Sequence, residues 1–440
     1  MRKKARPAEQ EPLTGEKTIA ESVYEIAKSV LVQAKENKKD IKQSSFALLL
    51  SVITGTLAGI FLGHAQETLL LLPGLIVLIP AALGMRGNIG AALGARLATA
   101  LHLGTIDNFS PKNKIIRANI YSSITLSLLL SVFLAFFAEI LTTSLGMPSM
   151  GIASFIAISV IGGMIAGVVL IFITIITSAA AYRRGWDLDN IHAPLITAFG
   201  DLFTIPSLLL ATFIVQGYNF IVIDIAVIAV ILAVLNLFYI FIRKEEVIYR
   251  SGSYKTIVMQ SVLILAAAGA IDVLAGIMLE SKVHNLTAIP ILLVLLPVFL
   301  EEGGNIGNTL ASRIGTKLHL GTLNTKLEVG KEVRKEFLIS YILSIFIFPI
   351  TGLLVYIFSV GFGIQHIGVQ TMSLQSIVFI SAFAGYILTT IIVIVTFLIS
   401  IAAFKFGFDP DNVTLPLVTA IADVLGVISL LIVLSVFGVI

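Results

Sequence analysis

Eleven apolar runs, most of them long enough to cross a bilayer, leave this chain few folds to choose from. They lie near residues 46–63, 68–102, 118–145, 152–182, 193–216 and 219–242, then near 255–279, 288–320, 337–360, 373–404 and 415–440. A hydrocarbon core of roughly 30 Å takes about 20 helical residues. Inside it every backbone polar group must be satisfied internally, so runs of this length read as helices. Charge usage agrees: 12% of the residues are charged and 57% are hydrophobic, against about 25% charged in a soluble domain. The fold class is an all-α polytopic membrane protein whose first partner is the lipid bilayer. No cysteine is present, which excludes disulfides, thiolate metal ligands and thiol nucleophiles. No secretory h-region appears in residues 1–45, which are charged.

Lysine and arginine set the expected orientation. With the N-terminus in the cytosol, ten basic residues precede the first span. Lys112, Lys114 and Arg117 follow the second span, Arg183 and Arg184 the fourth, and Arg243, Lys244, Arg250 and Lys255 the sixth. Lys326, Lys331, Arg334 and Lys335 follow the eighth and Lys405 the tenth, while Lys282 falls on the opposite side. The expectation is a multi-pass plasma-membrane protein with a cytosolic N-terminus and an extracytosolic C-terminus. The net charge of +3 is thus spent on topology and implies no nucleic-acid partner. Ile19, Val23, Ile26, Ala27, Val30, Leu31 and Ala34 recur at helical spacing, predicting an amphipathic helix before the first span. Residues 1–15 read as disordered.

The chain is also written twice. GNIGAALGARLATALHLGT at 87–105 returns as GNIGNTLASRIGTKLHLGT at 304–322, and DLDNIHAPLITAFGD at 187–201 returns as DPDNVTLPLVTAIAD at 409–423. The offsets are 217 and 222 residues. Five spans reverse the side at which a chain emerges, and the additional run at 219–242 reverses it again. The two units therefore run parallel, related by an axis along the membrane normal. The expected organisation is a cytosolic segment at 1–45, a first membrane unit at 46–218, a linker helix and loop at 219–254, and a second unit at 255–440. The second span of each unit is too long for a simple crossing. Pro80 or Pro297 followed by a Gly-Asn pair predicts a broken helix, or a helix extended into the cytosol.

Within the repeated motifs lie two acids, Asp201 and Asp423. An unpaired carboxylate at the centre of a membrane helix costs about 2.5–3.5 kcal/mol on insertion scales. Asp201 is ~15 Å from Ile191 at 1.5 Å per residue, close to the midplane. Thr197 lies one turn before Asp201 and Pro194 two turns before, on the same face; Pro416, Thr419 and Asp423 repeat the pattern. Near a pseudo-twofold axis Asp201 and Asp423 face each other. Carboxylates, hydroxyls and carbonyls make a hard, all-oxygen site for Mg²⁺, with Mn²⁺ and Ca²⁺ as the other candidates. Mg²⁺ dehydrates reluctantly, so it is expected with its water shell.

Four more acids, Asp187, Asp189, Asp409 and Asp411, precede these helices. They are read either as an acidic cytosolic vestibule or as helix caps, and the two roles are compatible. Asn88 and Asn305 line the path in one reading and bond neighbouring helices in the other. Arg86 sits oddly beside a cation path, with Glu301 or Glu302 as a candidate partner. His102 and His319 are read as interfacial rather than metal-ligating. Asp272 and Glu139 lack acidic twins, since Gly55 and Tyr356 occupy the matching positions.

At these motifs the sequence resembles the MgtE family of magnesium channels and transporters, over roughly residues 16–440. The family has a five-span membrane domain, a P…GGN-G…R…LG motif in the second span and a P…T…D motif in the fifth. Arg86-Gly87-Asn88 in one unit and Gly303-Gly304-Asn305 in the other are similar to the branch that carries two such units in one polypeptide, the animal solute carriers among them. The resemblance implies that Asp201 and Asp423 are pore ligands of magnesium and that Asn88 and Asn305 line the pore. It also implies that the helix at 19–34 is the plug helix. Large cytosolic N-terminal and CBS domains, present in bacterial members, have no counterpart in this sequence, so their gating is not carried over.

The leading expectation is divalent-cation transport with Asp201, Asp423, Asn88, Asn305, Thr197 and Thr419 as the metal site. One chain supplies both halves, so a monomer suffices. The alternative is a Na⁺- or H⁺-coupled secondary transporter of another solute that uses the same acids. No Ser-His or metalloprotease constellation appears, and an enzyme is not expected.

Overall fold

The computed structural model describes residues 38–102, 104–106, 113–183, 188–218, 221–242, 253–323, 328–407 and 410–440. The amphipathic helix expected at 19–34 lies outside them. The first unit comprises α1 (Lys38–His64), the short α2 (Gln66–Leu71), α3 (Leu75–His102), α4 (Lys114–Ser144), α5 (Ile152–Arg183) and α6 (Leu188–Gly217). A linker helix, α7 (Val222–Ile242), follows. The second unit repeats the order as α8 (Tyr254–Glu280), α9 (Val283–Ala288), α10 (Pro290–His319), α11 (Lys331–Gly361), α12 (Leu374–Lys405) and α13 (Pro410–Val436). Among the described residues, eleven helices are long and apolar enough to cross a membrane.

Local chemistry explains where the helices begin. Asn113 caps α4, its side-chain oxygen accepting from the backbone of Ile115 at 2.8 Å and of Ile116 at 3.4 Å. Ser373 caps α12 by accepting from Ser376 N at 3.2 Å. Both satisfy amides that a helix start leaves free. Hydroxyls inside the apolar helices mostly bond back to the carbonyl four residues earlier, as Thr142, Thr174 and Ser178 do. This hides a polar group without needing a partner helix.

The long second span of each unit is indeed split, but not where its interior proline and Gly-Asn pair suggest. In the first unit the chain turns at Pro73 and Gly74, between α2 and α3. Gly74 adopts φ +87, and a Cβ there would stand 2.6 Å from the Phe155 ring. In the second unit the turn falls at Ile289, held out of helical geometry ahead of Pro290. From there α3 runs unbroken through Pro80 and α10 through Pro297. A proline inside a membrane helix is tolerated where neighbouring protein encloses the freed carbonyl, and α3 and α10 are the most deeply buried of the eleven spans.

The two units interlock. α1 packs on α10 and α8 packs on α3, so the first helix of each unit lies against the second helix of the other. Each first helix also contacts the fifth helix of its own unit, α1 with α6 and α8 with α13. Glycines allow the close approach. A Cβ at Gly59 would lie 2.2 Å from the Val294 carbonyl, and one at Gly276 would lie 2.3 Å from the Val77 carbonyl. Gly59 and Gly276 are counterparts, as are Val77 and Val294, so one contact is made twice. Small residues at such crossings are the usual basis of membrane helix packing. α7 lies outside against α4 and α5 and buries mainly Ala226, Ala229 and Ala233.

Candidate cation site

Asp201 projects from α6 and Asp423 from α13, at 4% and 5% exposure. Both lie near mid-helix, where the two units interlock. The charge of Asp201 reaches Asp423. Beneath each aspartate the motifs of the second and fifth spans meet. Gly87 of α3 packs on Thr197, and a Cβ there would lie 3.5 Å from the Thr197 methyl; the matching distance from Gly304 to Thr419 is 3.3 Å. The glycine of each Gly-Asn pair thus makes room for the threonine of the facing motif. Thr419 donates to the Leu415 carbonyl at 3.0 Å and accepts from Asn308 Nδ2 at 2.9 Å.

Asn305 Nδ2 donates to Ser51 Oγ of α1 at 2.9 Å. The counterpart of Ser51 is Ala268, which offers Asn88 no such hydroxyl. Asn88 and Asn305 are both half-buried. Each begins a stripe on its helix that stays accessible toward the end carrying the basic loops: Asn88, Ala91, Ala95 and Thr99 on α3, and Asn305, Asn308, Ser312 and Thr316 on α10. In the opposite direction Gly59 and Gly63 press on Val294, and Gly276 presses on Val77. The surroundings of the acids are therefore polar and accessible on one side, and sealed by backbone-to-backbone packing on the other.

Three further acids join the aspartates. Glu301 of α10 faces Asp201 within hydrogen-bonding reach, Asp272 of α8 lies beside Asp423, and Glu302 adjoins Glu301. Ser51 and Asn305 flank the glutamates, yet no oxygen of Glu301, Glu302 or Asp272 has a hydrogen-bond partner in proper geometry. The arrangement is a row of neighbours, not a cage. Among the described residues no three carboxylate or imidazole groups converge as ligands of one bare ion.

Arg86 does not pair with Glu301 or Glu302. Its guanidinium points into the first unit, where Nη1 donates to Ser127 at 2.5 Å and Nη2 to Ser131 at 3.1 Å. Gly163 and Gly167 of α5 provide the space, since a Cβ at either would meet the guanidinium. His319 packs edge-on against Phe404, with ring centroids 5.3 Å apart, and takes no part in the site. Glu139 is half-buried rather than buried and accepts from Ser149 near the end of α4. Asp187 and Asp409 lie outside the described residues, as do the side chains of Asp189, Asp411 and His102.

Spacing along the chain misses the role of Asp272 and Glu301 as neighbours of the aspartates. The signal was nevertheless present. Gly55 and Asp272 are counterparts, and so are Gly84 and Glu301. A Cβ at Gly55 would lie 2.6 Å from Glu301 Oε2, and one at Gly84 would lie 2.5 Å from Asp272 Oδ2. Each second-unit acid therefore fills the space beside a first-unit glycine.

Two parallel, interlocked five-span units with paired acids at their junction define a polytopic membrane protein built as an internal dimer. The family model of MgtE, described as divalent cation transporter, matches residues 79–211 and 296–433; the chain belongs to this family. It is similar to solute carrier family 41 member 2 of Xenopus laevis, 26% identical over 319 residues covering 68% of this chain and 54% of the relative. The same carrier of Mus musculus is 25% identical over 382 residues, covering 80% of this chain and 62% of the relative. Solute carrier family 41 member 3 of Mus musculus is 25% identical over 252 residues, 56% of this chain and 50% of the relative. The chain thus spans little more than half the length of the curated relatives it matches. No solved structure matches it.

Proposed function

We propose that the protein carries Mg²⁺ across the plasma membrane along the axis between its two units, with Asp201 and Asp423 binding the hydrated ion. It is read as a transporter and not an enzyme, and a single chain as a complete path. The carrying observation is the pair of fifth-span aspartates, buried at the junction of the units and approached by an accessible stripe from each second span that begins at Asn88 or Asn305. Several kcal/mol of desolvation burden such carboxylates, and a divalent cation offsets it. Thr197, Thr419, Asn88 and Asn305 supply hydroxyls and amides that bond to the ion's water shell, the binding mode suited to Mg²⁺. Mn²⁺ is the closest competitor; Ca²⁺, larger and more readily dehydrated, gains less from a row of spaced oxygens. With the N-terminus cytosolic, the accessible stripes face the cytosol and the glycine packing closes the outer side.

The test is Mg²⁺ flux into liposomes, with and without a sodium gradient, for the unmodified protein and for Asp201→Ala, Asp423→Ala and the double variant. Each single change is expected to lower flux by about a hundredfold or more, since losing one member of a buried charged site costs about 2–5 kcal/mol. A sodium requirement assigns exchange, and its absence assigns a channel. Normal flux in both single variants ends this reading.

A further inference from the structure

The geometry points to a site of two cation positions rather than one, completed by Asp272 and Glu301. This rests on the reading of Asp201 and Asp423 given above and extends it. The pairs are Asp201 with Glu301 and Asp423 with Asp272, each joining a fifth-span aspartate to an acid contributed by the second unit.

Three observations support it. The first is placement. Glu301 sits on α10, the second helix of its unit, and Asp272 on α8, the first; in sequence they are unrelated positions. The interlock of the units makes them equivalent in space, because α1 packs on α10 as α8 packs on α3. Glu301 stands against Gly55, and Asp272 against Gly84. Exchanging the units maps one glycine–acid contact onto the other with glycine and acid interchanged. Each fifth-span aspartate therefore receives one additional carboxylate, although the two donors lie on different helices.

The second observation is that these carboxylates are unsatisfied. Asp272 is 1% and Glu301 8% exposed; neither oxygen of Asp272 has a hydrogen-bond partner, and Glu301 has only the Asp201 carboxyl and Ser51 within reach. Buried polar groups are nearly always bonded, and an exception calls for an explanation such as an ion. Among the described residues no counter-charge provides one: the buried Arg86 is turned to Ser127 and Ser131, and the ion pairs join Arg313 and Lys317 to Glu332 and Glu336. The third is charge. Were all four ionised, Asp201, Asp423, Asp272 and Glu301 would carry more negative charge than one divalent ion neutralises, and a single Mg²⁺ would leave a net anion buried at mid-membrane. Two cations, one on each pair, remove that excess. The paired arrangement also fits the absence, among the described residues, of a three-ligand cluster.

The experiment counts Mn²⁺ bound per chain, by electron paramagnetic resonance of free Mn²⁺ over the full-length protein in nanodiscs. The unmodified protein is expected to bind about two ions, and Asp272→Asn or Glu301→Gln to lose one or weaken it by at least about tenfold. Moving the acid across the helix contact, as Gly84→Asp with Asp272→Gly or Gly55→Glu with Glu301→Gly, keeps the carboxylate in the same space and should restore the second ion. A purely structural acid would change stability in these variants and leave the ion count where it was. One ion per chain in the unmodified protein, or a count unchanged in both single variants, overturns the inference. If that one ion is lost in Asp201→Asn, the aspartate reading survives and only the second position falls. If the unmodified protein binds none, both fail. The count on unmodified protein decides even where a variant does not fold.

Discussion

The two units share a backbone plan but not a charge plan. In the first, Gly55, Gly84 and Met85 stand where the second has Asp272, Glu301 and Glu302. Arg86 of the first faces Gly303 of the second, and Asn119 faces Glu336. All the unpartnered buried acids beside the aspartates therefore come from one unit, and the one fully buried arginine among the described residues comes from the other. Positions required twice, the fifth-span aspartates and the glycines of the interlock, are kept in both units. Positions required once are free to differ, because a change in a fused chain appears once instead of on both sides of the axis. Glycine faces acid across each helix contact, so the asymmetry in sequence becomes near-symmetry in space.

The largest expected effect tests the symmetric part. Asp201→Asn and Asp423→Asn should reduce Mg²⁺ flux by similar factors, about a hundredfold or more. A difference between them of more than about tenfold would show that the units divide the work unequally, and would break the comparison at its strongest point.

Next come the interlocking glycines. Gly59→Leu and Gly276→Leu each force a side chain into a carbonyl of the opposite unit. Overpacking of this kind costs about 1–3 kcal/mol or more. Both variants should lose thermal stability to a similar degree, measured by the fraction remaining monodisperse after heating. If one is tolerated, the two interlocks are not equivalent.

Much of this was legible in the sequence, for identifiable reasons. Span number, parity and parallel units follow from apolar length and from lysine and arginine placement, which bilayer physics constrains directly. Asp201 and Asp423 were visible because their motif occurs twice. What escaped was anything that depends on which helix packs on which. Pro80 and Pro297 look like breaks because isolated-helix rules apply to them, yet the deepest burial in the molecule encloses them, and the turns fall at Pro73-Gly74 and Ile289 instead. Arg86 looked like a partner for Glu301 or Glu302 because both lie in the second-span motif. The guanidinium points instead to Ser127 and Ser131 on α4, a serine stripe whose four-residue spacing does not say which helix it faces. Asp272 looked isolated because its neighbour Glu301 is equivalent to it only through the crossing of the units.

A smaller effect concerns Arg86 itself. Its charge is held by two hydroxyls, and Nε has no partner. Replacing a buried charge with an apolar side chain of similar volume is often neutral or stabilising by about 1–4 kcal/mol. Arg86→Met should therefore leave the melting temperature unchanged or raise it, whereas Arg86→Ala should lower it by opening a cavity against Gly163 and Gly167. A marked fall for Arg86→Met would show that the cation is needed where it stands, and the first unit would then contribute a working charge of its own.

The smallest effect lies toward the end with the basic loops, where the units differ at a single contact. Arg313 pairs with Glu336 at 3.4 Å and reaches Ser44 at 3.3 Å, with Lys317 also on Glu336 at 3.0 Å. The counterpart in the first unit is neutral: Arg96 donates to Asn119 Oδ1 at 2.7 Å, and one of its guanidinium nitrogens is left buried without a partner. Glu336 is buried, but Arg313 and Lys317 reach solvent and the amide of Glu336→Gln can still accept from them, so the change should cost about 1–2 kcal/mol of stability. Its consequence is electrostatic, since it uncovers Arg313 beside the accessible stripe of α10. Asn119→Asp does the reverse and neutralises Arg96 beside the stripe of α3. Cation flux at low ionic strength should therefore fall modestly in Glu336→Gln and rise modestly in Asn119→Asp. Both shifts should shrink as salt is raised to about 1 M, where screening acts within roughly 3 Å. If neither variant moves the flux, the two stripes do not form the approach to the aspartates, and the charge difference between the units at that end is only a matter of packing.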